Sequence, residues 1–316
     1  MSKGNRNPDT QYPHYRGSER QTVLGSFLQN PLKSAEKFKP RLIEEMNNRL
    51  KEHNSRDADQ VKQHLKTIKQ AISSDIEGSI DLKFGGSVLK NTYVEGLSDN
   101  DILVFLNRSE LRNTSPSQAL ELFANRLRQR LPNSEINTGN LAVTIKFRSS
   151  NTEIQLLPAI KTKTGMRIAD PQTGKWSNVV KPQKFAKELT TVNQQNDGQV
   201  VPVIKTVKPI ISASPKNQQI TGYHTEALAT EMFKQYTGPK NVPDMVNFFF
   251  KQASRRILYP IKEKTGQSEY VDDKLGMRGS FRRRIISKAF EEIDYRMETA
   301  SEKGSLREWR NILDGR

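Results

Sequence analysis

Two carboxylates one residue apart, Asp99 and Asp101, stand at the head of an apolar run, Ile102-Leu103-Val104-Phe105. Alternate side chains on a strand face the same way, so a strand here turns both acids to one face. Like charges that close raise one another's pKa unless a divalent cation lies between them. Magnesium suits such a pair, because it prefers hard oxygens and takes one or two carboxylates together with substrate phosphates; manganese is the alternative ion. Eleven residues separate Asp99 from Phe84-Gly85-Gly86-Ser87, which ends a second strand pattern, Ile80-Asp81-Leu82-Lys83-Phe84. Glycines let the backbone approach a triphosphate closely, and its N–H groups with the Ser87 hydroxyl can donate to phosphate. An Asp-x-Asp alone is common in surface turns, and Gly-Gly-Ser alone is a flexible loop. Their order and spacing, with a strand signal beside each, point to nucleotidyl transfer.

The segment Gly86-Ser87-Val88-Leu89-Lys90-Asn91-Thr92-Tyr93-Val94-Glu95-Gly96-Leu97-Ser98-Asp99-Asn100-Asp101 resembles the signature of the DNA polymerase β-like nucleotidyltransferase superfamily. Its wording is most similar to the bacterial CD-NTases, relatives of the animal cyclic GMP-AMP synthase and oligoadenylate synthetases that make cyclic oligonucleotide signals in anti-phage defence. Asn100 departs from the apolar residue usual between the two acids; it faces away from them and bears on packing.

Two-metal phosphoryl transfer asks for a third acid on a neighbouring strand, with ions at about 3.5–4 Å. Glu153 is the candidate catalytic and metal-binding residue beside Asp99 and Asp101. The resemblance puts the family's acid three residues before a Pro-Ala pair, which here is Gln155, ahead of Leu156-Leu157-Pro158-Ala159. Both face the same way on a strand, so Glu153 as ligand, Gln155 as a neutral ligand and Glu153 as a surface acid all stay open. The resemblance also implies triphosphate contacts from Lys205 and Lys208 in Val203-Ile204-Lys205-Thr206-Val207-Lys208, three apart and so on one side of a helix. It further implies a base-stacking Tyr223 in Thr221-Gly222-Tyr223-His224, at a helix start whose free N–H groups favour phosphate. Gly86 and Ser87 complete the expected phosphate-binding set. His224 is read as structural. Trp176, Pro182, Phe185 and Asn193, then Pro260-Ile261 with Thr265-Gly266-Gln267-Ser268 and Val271-Asp272-Asp273, extend the resemblance over about residues 35–300.

The elements that must position these residues are legible in outline. Residues 1–25 are polar with no period and are read as a flexible tail. Two helical patterns follow between about 35 and 76, the second carrying Val61, Leu65, Ile68 and Ile72 on one face. A helix is expected around Ser117 to Leu131. Alternation over Leu141 to Phe147 and Glu153 to Leu157 predicts two more strands, the second stopped by Pro158. After about Lys181 the pattern is helical. The fold expected is therefore α+β: a catalytic lobe with amino-terminal helices over 26–180, a helical nucleotide-binding lobe over 181–316, and the ligand cleft between them.

The chain has 316 residues, a formal net charge of +16 and no cysteine. The charge suits a polyanionic ligand, whether triphosphates or nucleic acid, and the missing cysteines exclude disulfides and thiolate metal sites. No apolar run approaches the roughly 18 residues of a membrane helix, and no apolar signal core opens the sequence, so a cytoplasmic protein with no membrane partner is expected. Arg278, Arg282, Arg283 and Arg284 form a basic cluster, read by default as a solvated helix face and otherwise as a phosphate contact. The leading functional expectation is an enzyme joining nucleoside triphosphates, ATP among them, into a cyclic product with release of pyrophosphate. A regulatory protein partner and a downstream effector are implied by the resemblance alone. The alternatives are a template-independent RNA nucleotidyltransferase, of the CCA-adding or oligoadenylate synthetase kind, and a non-catalytic nucleotide- or RNA-binding module.

Overall fold

The computed structural model describes residues 37–54, 58–74, 76–150, 152–170, 173–266 and 270–316. The expected tail at 1–25 lies outside the described residues. Helix α1 (37–53) and helix α2 (Ala58–Ser73) precede a six-stranded sheet. Its strands are β1 (Gly78–Phe84), β2 (Asn100–Ser109), β3 (Ser134–Thr138), β4 (Val143–Phe147), β5 (Thr152–Lys161) and β6 (Met166–Ile168). They lie in the order β1-β2-β5-β4-β3, with β6 also paired to β5. Only β2 and β5 are parallel neighbours. A one-turn helix, α3 (Gly86–Leu89), links β1 to β2, and α4 (Pro116–Arg130) links β2 to β3.

Strand β2 is apolar on both faces because both are covered. Ile102, Val104 and Leu106 enter a core with Ile68, Ile72, Phe123, Ile145 and Leu156, beneath α2 and α4. Leu103 and Phe105 face the other way, into a smaller cluster with Ala159, Met166, Ile168 and Val180. By alternation Asp101 belongs to this second face. The expected face of α2 forms, with Val61, Ile68 and Ile72 buried and Leu65 packed against them. Helix α4 starts one residue earlier than its pattern suggested, because Ser115 and Gln118 cap it reciprocally and Pro116 occupies its first position.

Pro158 does not stop β5. The strand runs on to Lys161, since β4 pairs it only to Leu156 and β6 joins at Ala159. Proline falls in the gap between those two partners, where that edge has no neighbour to receive a donated bond.

From residue 182 the chain is helical: α5 (Pro182–Gln195), α6 (Val200–Ala213), α7 (Gly222–Met232), α8 (Val242–Arg256), α9 (Phe281–Glu302) and α10 (Leu306–Leu313). Phe185, Ile204, Leu228, Phe249, Phe290 and Trp309 share one core. Leu42, Met46 and Leu50 of α1 are buried in the same core. The first helix, placed with the catalytic lobe by its sequence position, therefore packs on the helical lobe.

Candidate active site

The Gly-Gly-Ser turn and the Asp-x-Asp segment are fastened to each other by strand register. β1 pairs β2 as far as Phe84 opposite Ile102, and the Gly85 N–H donates to the Asp101 carbonyl at 2.8 Å. The next residue passes so close to the Asp101 carboxylate that a Cβ on Gly86 would lie 1.7 Å from Oδ2, and its φ is +46°. Only glycine meets both conditions. Ser87 follows in α3, and its carbonyl accepts from the Thr92 N–H at 2.9 Å. Asp99 lies just before β2 and Asp101 is its second residue.

These groups face a cavity of about 350 Å³ walled by both lobes. Gly86, Ser87, Lys90, Ser98, Asp99 and Asp101 come from the sheet side, and Lys208, Ser212, Gln219, Gly222, Tyr223, Thr225 and Glu226 from α6, α7 and the turn between them. Burial raises the pKa of Asp99. Asp101 is pushed up to about 6, first by burial and then by the charge of Asp99, against the pull of Lys90 and Lys208. Two acids that resist joint ionisation, opening on a cavity beside a close-approach glycine, fit a hard divalent cation, with Asp99 and Asp101 as the groups that would hold it.

The β5 side chain in contact with the pair is an amide. Parallel register sets Gln155 beside Asp101, and the Gln155 side chain donates to Asp99 Oδ2 at 2.9 Å. Glu153 is one pleat upstream, across from Lys146 of β4, and lines a neighbouring cavity of about 330 Å³ that shares Asp99 on its rim. No three His, Cys, Asp or Glu side chains converge on a possible metal position among the described residues. The β2–β5 register, continued by one residue, sets Glu153 level with Asp99 as it sets Gln155 level with Asp101, so both residues of β5 stand beside the pair: Gln155 in contact with Asp99, Glu153 across the neighbouring cavity. Asn100 faces away as expected and donates to the Glu153 carbonyl at 3.1 Å. A Gln155→Ala variant is expected to lose about 10- to 100-fold in turnover, as for residues that orient metal-binding groups, while Glu153→Gln stays within about twofold of the parent. Steady-state rates under saturating magnesium check this; a crippled Glu153→Gln enzyme would make Glu153 the third metal ligand.

The lysine pair on α6 divides. Lys205 does not line the cavity and donates instead to Asn54, just beyond α1. Lys208 lines it but is already matched: its ammonium donates to Glu226 Oε1 and to the Thr92 carbonyl, each at 2.8 Å. Lys90 reaches the other Glu226 oxygen at 2.5 Å, and the Thr92 hydroxyl also donates to that carboxylate. Glu226 is fully buried, and the two lysines hold its pKa below the usual carboxylate range in spite of burial. Burial in turn lowers the pKa of Lys208. Lys90 and Glu226 went unread in the sequence. The available signal was the spacing of Tyr223 and Glu226, three apart at the start of α7 and hence on one face.

The Tyr223 ring stands at the cavity wall with the Lys90 ammonium 5.1 Å from its centre and Phe185 edge-on at 5.1 Å. Its hydroxyl donates to Glu263, which also accepts from the Thr265 hydroxyl at 2.7 Å and the Gly266 N–H at 2.6 Å. The 265–266 turn therefore braces the tyrosine. His224 is buried 3.5 Å from Asp272, and burial pushes its pKa down to about 4, so it is neutral at neutral pH. Of the four arginines near α9, Arg283 is fully buried and donates to Asp272 at 2.6 Å, while Arg278 stacks 4.4 Å from the Tyr259 ring. The expected basic cluster is therefore divided.

No curated protein matches the chain by sequence. Solved structures share its fold at low identity. E. coli MS115-1 CdnC, solved with ATP, is 15% identical, with a TM-score of 0.59, over 90% of this chain and 97% of that one. Vibrio cholerae DncV, a cyclic AMP-GMP synthase, is 10% identical, with a TM-score of 0.62, over 95% and 91%. Bradyrhizobium diazoefficiens CdnG, solved with GTP, is 12% identical, with a TM-score of 0.59, over 82% and 89%. Residues 36–193 match the Second Messenger Oligonucleotide or Dinucleotide Synthetase domain, which spans half of the chain and contains both aspartates. The chain belongs to that family, the CD-NTases, nucleotidyltransferases that make cyclic oligonucleotides.

Proposed function

We propose that this enzyme uses magnesium to join nucleoside triphosphates, ATP among them, into a cyclic di- or trinucleotide, releasing pyrophosphate at each bond formed. The observation that carries this reading is the single cavity in which Asp99, Asp101 and the Gly86-Ser87 turn face Lys90, Lys208 and Tyr223. A divalent ion held by Asp99 and Asp101 supplies charge neutralisation for the triphosphate and acidifies the attacking hydroxyl. Gly86 and Ser87 give the phosphates close backbone approach and a hydroxyl donor. Lys90 and Lys208 carry two charges against the one of Glu226, and the excess offsets the charge that gathers on the departing pyrophosphate. Tyr223 offers a ring face on which any base can stack.

A cytoplasmic setting, where triphosphates are supplied, fits this chemistry, and no helix among the described residues is long and apolar enough to cross a membrane. The family match supports a role in anti-phage signalling with a downstream effector as part of this reading. E. coli MS115-1 CdnC is known in complex with a HORMA protein, which supports a regulatory protein partner here. The test is incubation with the four labelled triphosphates and magnesium, with and without tRNA, followed by phosphatase. Phosphatase-resistant small products without RNA are expected. Label in tRNA alone would instead make the chain an RNA nucleotidyltransferase, and no product at all would make it a binding module.

A further inference from the structure

A third cavity, of about 400 Å³, lies on the sheet face that carries Asp101 and shares no lining residue with the catalytic one. Asp101, Leu103, Phe105 and Asn107 alternate to that face of β2, so the two cavities stand four to six residues apart along the strand, about 13–20 Å. Leu103 and Ala159 of the apolar cluster lie between them, and its Phe105 and Met166 line the one farther from Asp101. Around this third cavity stand Lys83 of β1, Arg108 of β2, Lys161 at the end of β5 and Lys163 in the turn to β6. One acid, Asp81, lines it with them.

None of these four cations forms an ion pair among the described residues, whereas Lys208, Lys234, Arg256 and Arg283 all find carboxylates elsewhere. The backbone beneath them is fixed. Asn107 donates to the Lys161 carbonyl at 2.8 Å and accepts from its N–H at 2.7 Å. The turn that carries Lys163 is closed by Thr162 N–H to the Gly165 carbonyl at 2.9 Å and by Gly165 N–H to the Thr162 hydroxyl at 3.0 Å. Four like charges on a rigid rim repel one another and focus a positive potential into the hollow, which an anion relieves. The floor residues Phe105 and Met166 are buried, so no open ring stacks a base there. Recognition at this place is of phosphate rather than of base.

We propose that this cleft binds phosphates in series, as in the backbone of a nucleic acid strand or a free polyphosphate chain, at a site separate from catalysis. The test uses the full-length protein without divalent metal, which suppresses binding at Asp99 and Asp101. Its probes are a labelled single-stranded RNA of about 12 nucleotides and, in a parallel titration, inorganic tripolyphosphate. Lys161→Glu with Lys163→Glu is expected to weaken RNA binding by roughly tenfold or more and to flatten the salt dependence by about 1.4 log units per log unit, at about 0.7 per phosphate contact. The same change of charge at Arg282→Glu with Arg284→Glu, both exposed on α9, controls for overall field. Lys161→Gln with Lys163→Gln, compared by melting temperature, guards against misfolding. RNA responding while tripolyphosphate does not assigns the site to a strand; both responding assigns it to short polyphosphate. Equal weakening by the α9 pair, or no response of either probe to the 161 and 163 changes, overturns the proposal.

Discussion

The Asp99→Asn, Asp101→Asn double variant is expected to lose product formation on the order of 10³-fold or more while melting no lower than the parent protein. A bound ion supplies several kcal/mol of transition-state stabilisation, and each 1.36 kcal/mol is tenfold in rate, which sets that size. The stability half of the expectation comes from the acids themselves. Asp101 keeps its proton in the folded chain up to about 6, against an ordinary 3.8, because burial and Asp99 disfavour its charge. A raised carboxylate pKa means that the fold loses stability as pH climbs from the unfolded value through the folded one, and the loss persists above it. Asparagine relieves that loss, so the variant should gain most above pH 6 and nothing below about pH 4, with about 3 kcal/mol as the upper bound. Magnesium should raise the melting temperature of the parent and leave the variant unmoved. Retained turnover, or a variant that melts well below the parent at neutral pH without metal, would sink this assignment.

How much of this site could be read from the chain depended on whether local or distant constraints decide each residue. Gly86 and Asp101 were legible because a close backbone approach narrows the residue type to one, and strand alternation is a local rule. Val61, Ile68 and Ile72 were legible for the same reason, since a helical face needs only its own spacing. The third ligand was not. Glu153 and Gln155 satisfy the same alternation and the β5 register sets each level with one of the two aspartates, so only the contact across strands more than fifty positions apart, Gln155 to Asp99, tells them apart. Lys205 and Lys208 are likewise equivalent on their helix until Glu226, from α7, captures one and Asn54 the other. Pro158 misled because a strand edge without a partner tolerates proline, and that vacancy is set by where β4 ends and β6 begins. Helix α1 was expected as a helix, but its partner, the helical core, lies far along the sequence.

Glu226 is where the largest loss of stability is expected, because its single carboxylate compensates two ammonium groups brought from different lobes. Glu226→Gln keeps the volume but leaves Lys90 and Lys208 without a counter-charge in a site only 11% and 5% exposed at their side chains. Removing one partner of a buried pair costs about 3–5 kcal/mol, which for a chain of this size is a fall in melting temperature of roughly 10 °C. Lys208, whose pKa burial already lowers, then sheds its proton more readily, so the KM for triphosphate should rise, and rise further as pH increases. A second substitution separates structure from function. Adding Lys208→Met to Glu226→Gln removes an orphaned charge, so stability should recover in part and the two changes should be non-additive. Triphosphate affinity should not recover with it, since the cation facing the phosphates is now gone. Assayed well below both melting temperatures, a double variant that regained parental KM along with its stability would reduce the triad to a structural clamp between the lobes, and a Glu226→Gln protein as stable as the parent would show that the carboxylate compensates neither lysine.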